Sequence, residues 1–259
     1  MMQFNNWLLV IPARLSSERL PRKPLQRLGG RYLIEQVYHN LKALTAHGVE
    51  IVVACDSKDV EQVCLNANIP TVMTKASHPS GTDRCNEVAK QRSKSFILNV
   101  QGDEPFVELE DLKRLMIAVE TTKSPMGTLG FRSKSRADFE NPNHVKIVRS
   151  STGHALYFSR APIPCYRDYQ KVPQPDFSFY QHVGVYGFSK DSLSEFCALP
   201  QSPLETIEKL EQLRAVEAGW RILVCETQNL GFGIDTPEDL TRAENFLKSR
   251  AAGSGGGRV

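Results

Sequence analysis

The stretch Trp7-Leu8-Leu9-Val10-Ile11-Pro12-Ala13-Arg14-Leu15-Ser16-Ser17-Glu18-Arg19-Leu20-Pro21-Arg22-Lys23-Pro24 opens with five apolar residues and then turns polar and basic. Five residues are too few to span a bilayer. No Lys or Arg precedes them and no small-residue cleavage site follows, so the run reads as a buried strand rather than an export or membrane segment. Beyond it, Leu33, Ile34, Val37, Tyr38, Leu41 and Leu44 recur at helical spacing, and Gly48 is placed to close that helix. Further short β-rich runs follow at Glu50 to Ala54, Thr71 to Met73 and Phe96 to Val100, separated by amphipathic stretches. Strands alternating with helices predict parallel strands joined by crossovers, and hence an α/β fold with a mainly parallel sheet flanked by helices.

From about Met126 the texture changes. Met126 to Arg132, Val145 to Val148, Ala155 to Phe158 and Val183 to Phe188 look like strands with no helix between consecutive members, which predicts antiparallel additions and so a mixed sheet. Within them, residues 161 to 180 carry Pro162, Pro164, Pro173 and Pro175 beside Tyr166, Tyr169, Phe177, Phe179 and Tyr180. Such an extended aromatic arm covers a site or reaches a partner subunit. Ser202-Pro203-Leu204-Glu205 and Thr236-Pro237-Glu238-Asp239 each place a hydroxyl at a helix N-cap, Pro at the first helical position and an acid at the third, with a strand from Arg221 to Cys225 between them. No repeat or linker is visible, so one domain over residues 1–250 is expected. Residues 251–259, rich in Gly, lack packing side chains and are expected to form a flexible tail.

The 259 residues are ample for a large core, and 41% hydrophobic with 24% charged residues excludes wholesale disorder. A net charge of +3 is too small to suggest a nucleic-acid binder. Cysteines 55, 64, 85, 165, 197 and 225 show neither a C-x-x-C motif nor zinc-ligand spacing, as expected of reduced thiols in a cytosolic protein.

Three segments carry candidate chemistry. Between positions 14 and 27, Arg14, Arg19, Arg22, Lys23 and Arg27 stand against one acid, Glu18. The segment links the first strand to the first helix, so it lies outside the carboxyl end of the sheet, where open α/β folds bind ligands. A polyphosphate suits it, because Arg grips phosphate oxygens in a fork and Lys adds a mobile charge; a solvated basic loop is the plainer alternative. The P-loop motif is absent, and Gly231-Phe232-Gly233 has Thr236 where a third dinucleotide-motif glycine would stand. Second, Asn99-Val100-Gln101-Gly102-Asp103-Glu104-Pro105 follows a buried strand. Asp103 there is placed to hold Mg²⁺ against phosphate, or the segment is only a turn. Asp235 is a second such acid, or a charge flanking a helix start. Third, His78-Pro79-Ser80-Gly81-Thr82-Asp83-Arg84 runs from a turn into a helix, and its hydroxyls bind a base or ribose or simply cap the helix.

Taken together, these blocks resemble the 3-deoxy-D-manno-octulosonate cytidylyltransferases, or CMP-Kdo synthetases, from Leu8 to about Leu247. The likeness rests on Ile11-Pro12-Ala13-Arg14 with Arg19-Leu20-Pro21 and Lys23-Pro24, Ser80-Gly81-Thr82-Asp83-Arg84, Asn99 to Pro105, Ala155-Leu156-Tyr157-Phe158-Ser159-Arg160, His182-Val183-Gly184-Val185-Tyr186, Leu210-Glu211-Gln212-Leu213-Arg214 and Asp235-Thr236-Pro237-Glu238-Asp239. The resemblance implies a Rossmann-like fold of the nucleotide-diphospho-sugar transferase type. It also implies a cytosolic, Mg²⁺-dependent enzyme, usually a homodimer, that joins CTP and Kdo into CMP-Kdo and pyrophosphate for lipopolysaccharide synthesis. Arg14 and Lys23 would hold the triphosphate with Arg19 nearby. Pro12, Ala13, Ser80 and Arg84 would line the nucleotide, and Asp103 and Asp235 would bind the metal. Gln101, Arg160, His182, Tyr186, Glu211 and Gln212 would surround the sugar acid. Arg14, Lys23 and Asp103 are the catalytic candidates. One departure is Arg22, where the family commonly has glycine before the lysine. An amino-substituted Kdo or another sugar acid, or a non-catalytic nucleotide-binding role, are the competing readings.

Overall fold

The structure is a computed structural model, which describes residues 2–17, 19–168, 173 and 176–254, the side chains of 250–254 excepted. Glu18 of the basic loop, Tyr169 and Pro175 of the arm, and residues 255–259 of the expected tail lie outside the described residues. The chain divides into two compact units, Met1–Ser93 with Asn99–Val107 and Gly231–Val259, and Lys94–Leu98 with Glu108–Leu230. One crossing falls inside a strand, so no linker marks the division in the sequence.

The first unit runs β1 (Trp7–Ala13), a hairpin of β2 (Arg27–Leu28) and β3 (Arg31–Tyr32), α1 (Leu33–Leu41), β4 (Glu50–Cys55), α2 (Lys58–Asn66), β5 (Thr71–Met73), α3 (Gly81–Lys90) and part of β6 (Phe96–Val100). All seven residues of β1 are buried, the unbroken apolar run of a parallel strand covered on both faces. Each of Leu8, Leu9, Val10 and Ile11 removed from water contributes about 1.5–3 kcal/mol. β1 and β4 pair in parallel from Leu8 opposite Glu50 to Ala13 opposite Cys55, and β5 continues the parallel order beside β4. β1 therefore extends past Ile11 and places Pro12 and Ala13 within the strand, with Arg14 the first residue beyond it. The first helix buries the expected face but stops at Leu41, tightening into a 3-10 helix, Lys42–His47, that Gly48 ends.

The second unit begins with residues of β6, then α4 (Leu109–Thr122), β7 (Met126–Ser133), α5 (Arg136–Glu140), β8 (Lys146–Arg149), β9 (Ala155–Ser159), β10 (Phe179–Ser189), α6 (Lys190–Ala198), α7 (Pro203–Glu208), α8 (Gln212–Glu217) and β11 (Ile222–Thr227). As expected, β10 is antiparallel to β7 and β8, and β9 antiparallel to β8; β11 joins β7 in parallel. β10 begins at Phe179, four residues before the expected start, because Phe179 to His182 pair with Ser133 to Gly130. The described part of the aromatic arm folds onto its own unit: Phe177 and Phe179 are buried against Phe139 of α5, with Tyr166 packed on them and its hydroxyl donating to the Ser178 carbonyl.

The chain then returns to the first unit, where α9 (Pro237–Ser254) runs four residues into the stretch expected to be a flexible tail. Both Pro-led helix starts are found: Ser202 and Glu205 form a capping box on α7, and the Thr236 hydroxyl accepts from Asp239 N–H at the head of α9. Among the described residues no helix is long and apolar enough to cross a membrane.

Candidate active site

In the first unit, the basic loop meets both sequence-selected acids. Lys23 heads a single 3-10 turn, and its Nζ lies 2.6 Å from Asp103 Oδ2 and 2.7 Å from Asp235 Oδ1. Arg19 closes on the other Asp235 oxygen at 3.0 Å. Burial alone would lower the Lys23 pKa, but the charges and hydrogen bonds of the two acids outweigh it and raise the value above that of a free lysine. Burial likewise pushes Asp235 up, and Lys23 with Arg19 reverses this and holds its carboxyl below the ordinary range. Behind the pair sits Glu104, pushed up to about 8 by burial and then by the charges of Asp103 and Asp235, its Oε2 buried without a hydrogen-bond partner. Asp103 and Asp235 could hold a hard cation between them, and the Lys23 ammonium takes that place here. Among the described residues no group of three or more His, Cys, Asp or Glu is arranged around a metal position.

The acids, 132 positions apart, meet because the segment before α9 lies against the backbone after β6. Ile234 N–H donates to the Asp103 carbonyl at 2.9 Å, and a Cβ on Gly231 would stand 3.0 Å from the Phe106 carbonyl oxygen. The glycines dismissed as a dinucleotide motif thus permit this close approach. Phe232 anchors it between Phe106 and Phe246, with ring centroids 4.8 and 5.7 Å away. Asp239 Oδ2 accepts from the N–H groups of both Asp235 and Thr236, fixing the acid at the head of α9.

In the second unit, β10 bulges between Val183 and Tyr186, and Thr128 fills the irregularity. Its Oγ1 donates to the Val185 carbonyl at 2.7 Å, so the His182 Nε2 at 3.0 Å must donate to it. That assigns His182 the Nε2–H tautomer and leaves Nδ1 as an acceptor. Packed between the Phe158 and Tyr186 rings, His182 is held neutral, its pKa pushed down to about 3 by burial. Tyr186 donates to Gln212 Oε1 at 3.0 Å and is kept protonated by burial and by the Glu211 charge. The Gln212 Nε2, also buried, has no partner. A buried unpaired donor costs about 1–3 kcal/mol, which an arriving acceptor would recover.

A cytidylyltransferase family profile matches residues 8–222. The 3-deoxy-manno-octulosonate cytidylyltransferase of Syntrophotalea carbinolica is 42% identical over 244 residues, 92% of this chain and 97% of that protein. Its namesake from Gemmatimonas aurantiaca is 44% identical over 239 residues, 91% of this chain and 92% of that one. The chain belongs to the 3-deoxy-manno-octulosonate cytidylyltransferases. A solved structure of CMP:2-keto-3-deoxy-manno-octonic acid synthetase complexed with CTP superposes with a TM-score of 0.87 at 36% identity, covering 94% of this chain and 99% of that one. The 4-diphosphocytidyl-2C-methyl-D-erythritol synthase of Anaerococcus prevotii shares the fold alone, with a TM-score of 0.61 at 13% identity.

Against this family's expected site, Arg22 adopts φ 53 and ψ 38, the left-handed conformation that glycine enters most freely. Its guanidinium meets Asp59 at 2.7 Å, and Lys23 still reaches both acids. Arg14 is exposed and donates to the Pro79 carbonyl at 3.4 Å. Ser80 is spent on capping α3: its Oγ accepts from Asp83 N–H and donates to the Asp83 carboxylate. Gln101 falls in the first unit, its Nε2 donating to Asn99 Oδ1 at 3.0 Å. Arg84 is fully buried, its guanidinium bonded to Asp56, Thr74 and the Lys75 carbonyl.

The other five sugar-acid candidates all fall in the second unit. The Arg160 guanidinium caps the end of α7, donating to the carbonyls of Glu208 at 2.8 Å and Lys209 at 3.4 Å, and to that of Pro142 at 3.1 Å. Sequence reasoning missed Glu104, Thr128 and Lys146. The last is a buried lysine whose ammonium donates to the carbonyls of Asn141, His144 and Arg160. Only its place in an apolar strand signalled it.

Proposed function

We propose that this chain transfers the cytidylyl group of CTP to the anomeric hydroxyl of Kdo and releases pyrophosphate. It works as a Mg²⁺-dependent cytosolic homodimer that supplies activated sugar for lipopolysaccharide synthesis. The observation that carries this reading is the Lys23 ammonium shared by Asp103 and Asp235, a cation position built from two hard oxygen donors with exposed Arg19 closing on Asp235. Two carboxylates suit Mg²⁺, whose remaining positions are filled by phosphate oxygens and water, and once bound the ion supplies charge neutralisation at the phosphates.

The new oxygen–phosphorus bond forms in line as the bond from the α-phosphorus to pyrophosphate breaks, so charge and positioning are what the chain contributes. Arg14, Arg19 and Lys23 take up triphosphate charge, and Lys23 is free to do so once another cation sits between the acids. In the second unit, Arg160, His182, Tyr186, Glu211 and Gln212 take up the sugar acid. Within that set Gln212 Nε2 offers a donor to its oxygens and His182 Nδ1 an acceptor to its hydroxyl groups. Pyrophosphate release measured with the four nucleoside triphosphates against Kdo, amino-substituted Kdo and other eight- or nine-carbon sugar acids tests this. CTP with Kdo should be preferred. Nucleotide binding without pyrophosphate release for any sugar would instead identify a binding module.

A further inference from the structure

Arg84 was expected beside the nucleotide, but its side chain is wholly buried. One arm of its fork donates to Asp56 Oδ2 at 2.9 Å; the other donates to Thr74 Oγ1 and, at 3.3 Å, to the Lys75 carbonyl. The second Asp56 oxygen, Oδ1, accepts from the backbone N–H of Leu15 at 3.0 Å. Asp56 is the first residue beyond β4 and Leu15 the second beyond β1, at the parallel edge where Ala13 stands opposite Cys55. Between these two fixed points lies Arg14. On one side it is held by the strand ladder, on the other by a hydrogen bond to a carboxylate that cannot turn, because Arg84 grips it from within the core. Thr74 completes the frame by donating its hydroxyl to the Cys55 carbonyl at 2.8 Å.

A buried ion pair is weak evidence for stability, since the desolvation of two charges offsets much of their attraction, and here Arg84 Nε is left without a partner. Its geometry has a clearer use in direction: it fixes where the chain leaves β1. We propose that Asp56, backed by Arg84, is a positioning pair that aims Arg14 at the phosphates, and that Arg84 itself does not touch the nucleotide. The inference rests on the reading of Arg14 as a triphosphate contact.

The test is a double-mutant cycle read as KM for CTP and, separately, KM for the sugar acid, with melting temperature measured alongside. Asp56→Ala should raise KM for CTP about tenfold or more, as small misplacements of a contact group do, with KM for the sugar acid unchanged. In an Arg14→Ala background the same substitution should change KM for CTP less than about twofold, because nothing remains to be aimed. Asp56→Asn must set its amide NH2 against either Leu15 N–H or the Arg84 guanidinium, both donors, and should raise KM for CTP in the same direction as Asp56→Ala with KM for the sugar acid unchanged. If Asp56→Ala does not fold, Arg84→Lys, which keeps the charge and loses the fork, goes through the same cycle with the same expectation. Losses that multiply with those of Arg14→Ala, or a fall in melting temperature with KM for CTP unchanged, would overturn the proposal. An Arg14→Ala enzyme with unaltered kinetics toward CTP would instead remove the premise, a separate failure of the site assignment.

Discussion

Replacing Lys23 by Met keeps the length and apolar stem of the side chain and deletes one charge, so it isolates what the ammonium does between Asp103 and Asp235. Each charge-assisted hydrogen bond contributes about 1.5–3 kcal/mol. The Asp103 contact is well shielded, with side chains 17% and 26% exposed, whereas Asp235 is 40% exposed and its contact is correspondingly screened. A loss of about 2–4 kcal/mol follows, because two carboxylates are left facing each other with buried Glu104 behind them. For a chain of this length that is a fall in melting temperature of roughly 5–15 °C.

The pH dependence has a definite sign. Asp235 titrates below its ordinary 3.8 in the folded state, so its share of the stability is present above that value and is lost as pH falls through the lowered pKa. Lys23 titrates above its ordinary 10.5, so its share is present below that value and is lost as pH rises through the raised one. The gap between wild type and Lys23→Met should therefore be widest and flat across neutral pH and should close toward both ends. Thermal melts of both proteins from pH 3 to 11, without divalent ions, measure it. Adding millimolar Mg²⁺ at pH 7 should raise the mutant's melting temperature more than the wild type's, since the mutant has a vacant cation position. A shift under 2 °C at pH 7, or a gap that stays constant to pH 3, would refute the reasoning.

Other outcomes follow from single observations. Arg22→Gly should stay within about 1 kcal/mol of wild type, exchanging relief of left-handed strain for a surface ion pair; Arg22→Val cannot enter that conformation and should slow turnover with CTP. A Cβ at Gly102 would stand 2.7 Å from the Pro12 carbonyl oxygen, so Gly102→Ala should destabilise the fold by about 1–3 kcal/mol and cut turnover by displacing Asp103, both read from denaturation and steady-state assays. His182, with its pKa lowered to about 3, stays neutral when the unfolded chain's histidine protonates near 6.5, so stability should fall as pH drops from about 6.5 toward 3. A His182→Gln variant should show a shallower acid limb in the same melts, and an NMR titration should find the His182 ring unchanged between pH 8 and 5.

The residues alone determine the alternation of strands and helices, the run from Trp7 that becomes a fully buried strand, the Pro-led helix starts and the basic character of the loop after β1. Those signals are local: burial period, cap chemistry and charge density are written within a few neighbouring positions. The sequence also exposes Lys23, Asp103 and Asp235 as suspects, but nothing local in it joins the lysine to the two carboxylates. Tertiary structure decided what no neighbouring residue encodes. It joined acids 132 positions apart through the Ile234–Asp103 hydrogen bond, turned Arg84 from the expected nucleotide face into the core, and split the sugar-acid candidates so that Gln101 falls in one unit and the other five in the second. It also left Gln212 with a buried donor lacking a partner. Each of these depends on which backbone segments approach one another. That is settled by packing over the whole chain, and the two units cross within a strand whose sequence carries no mark of a boundary.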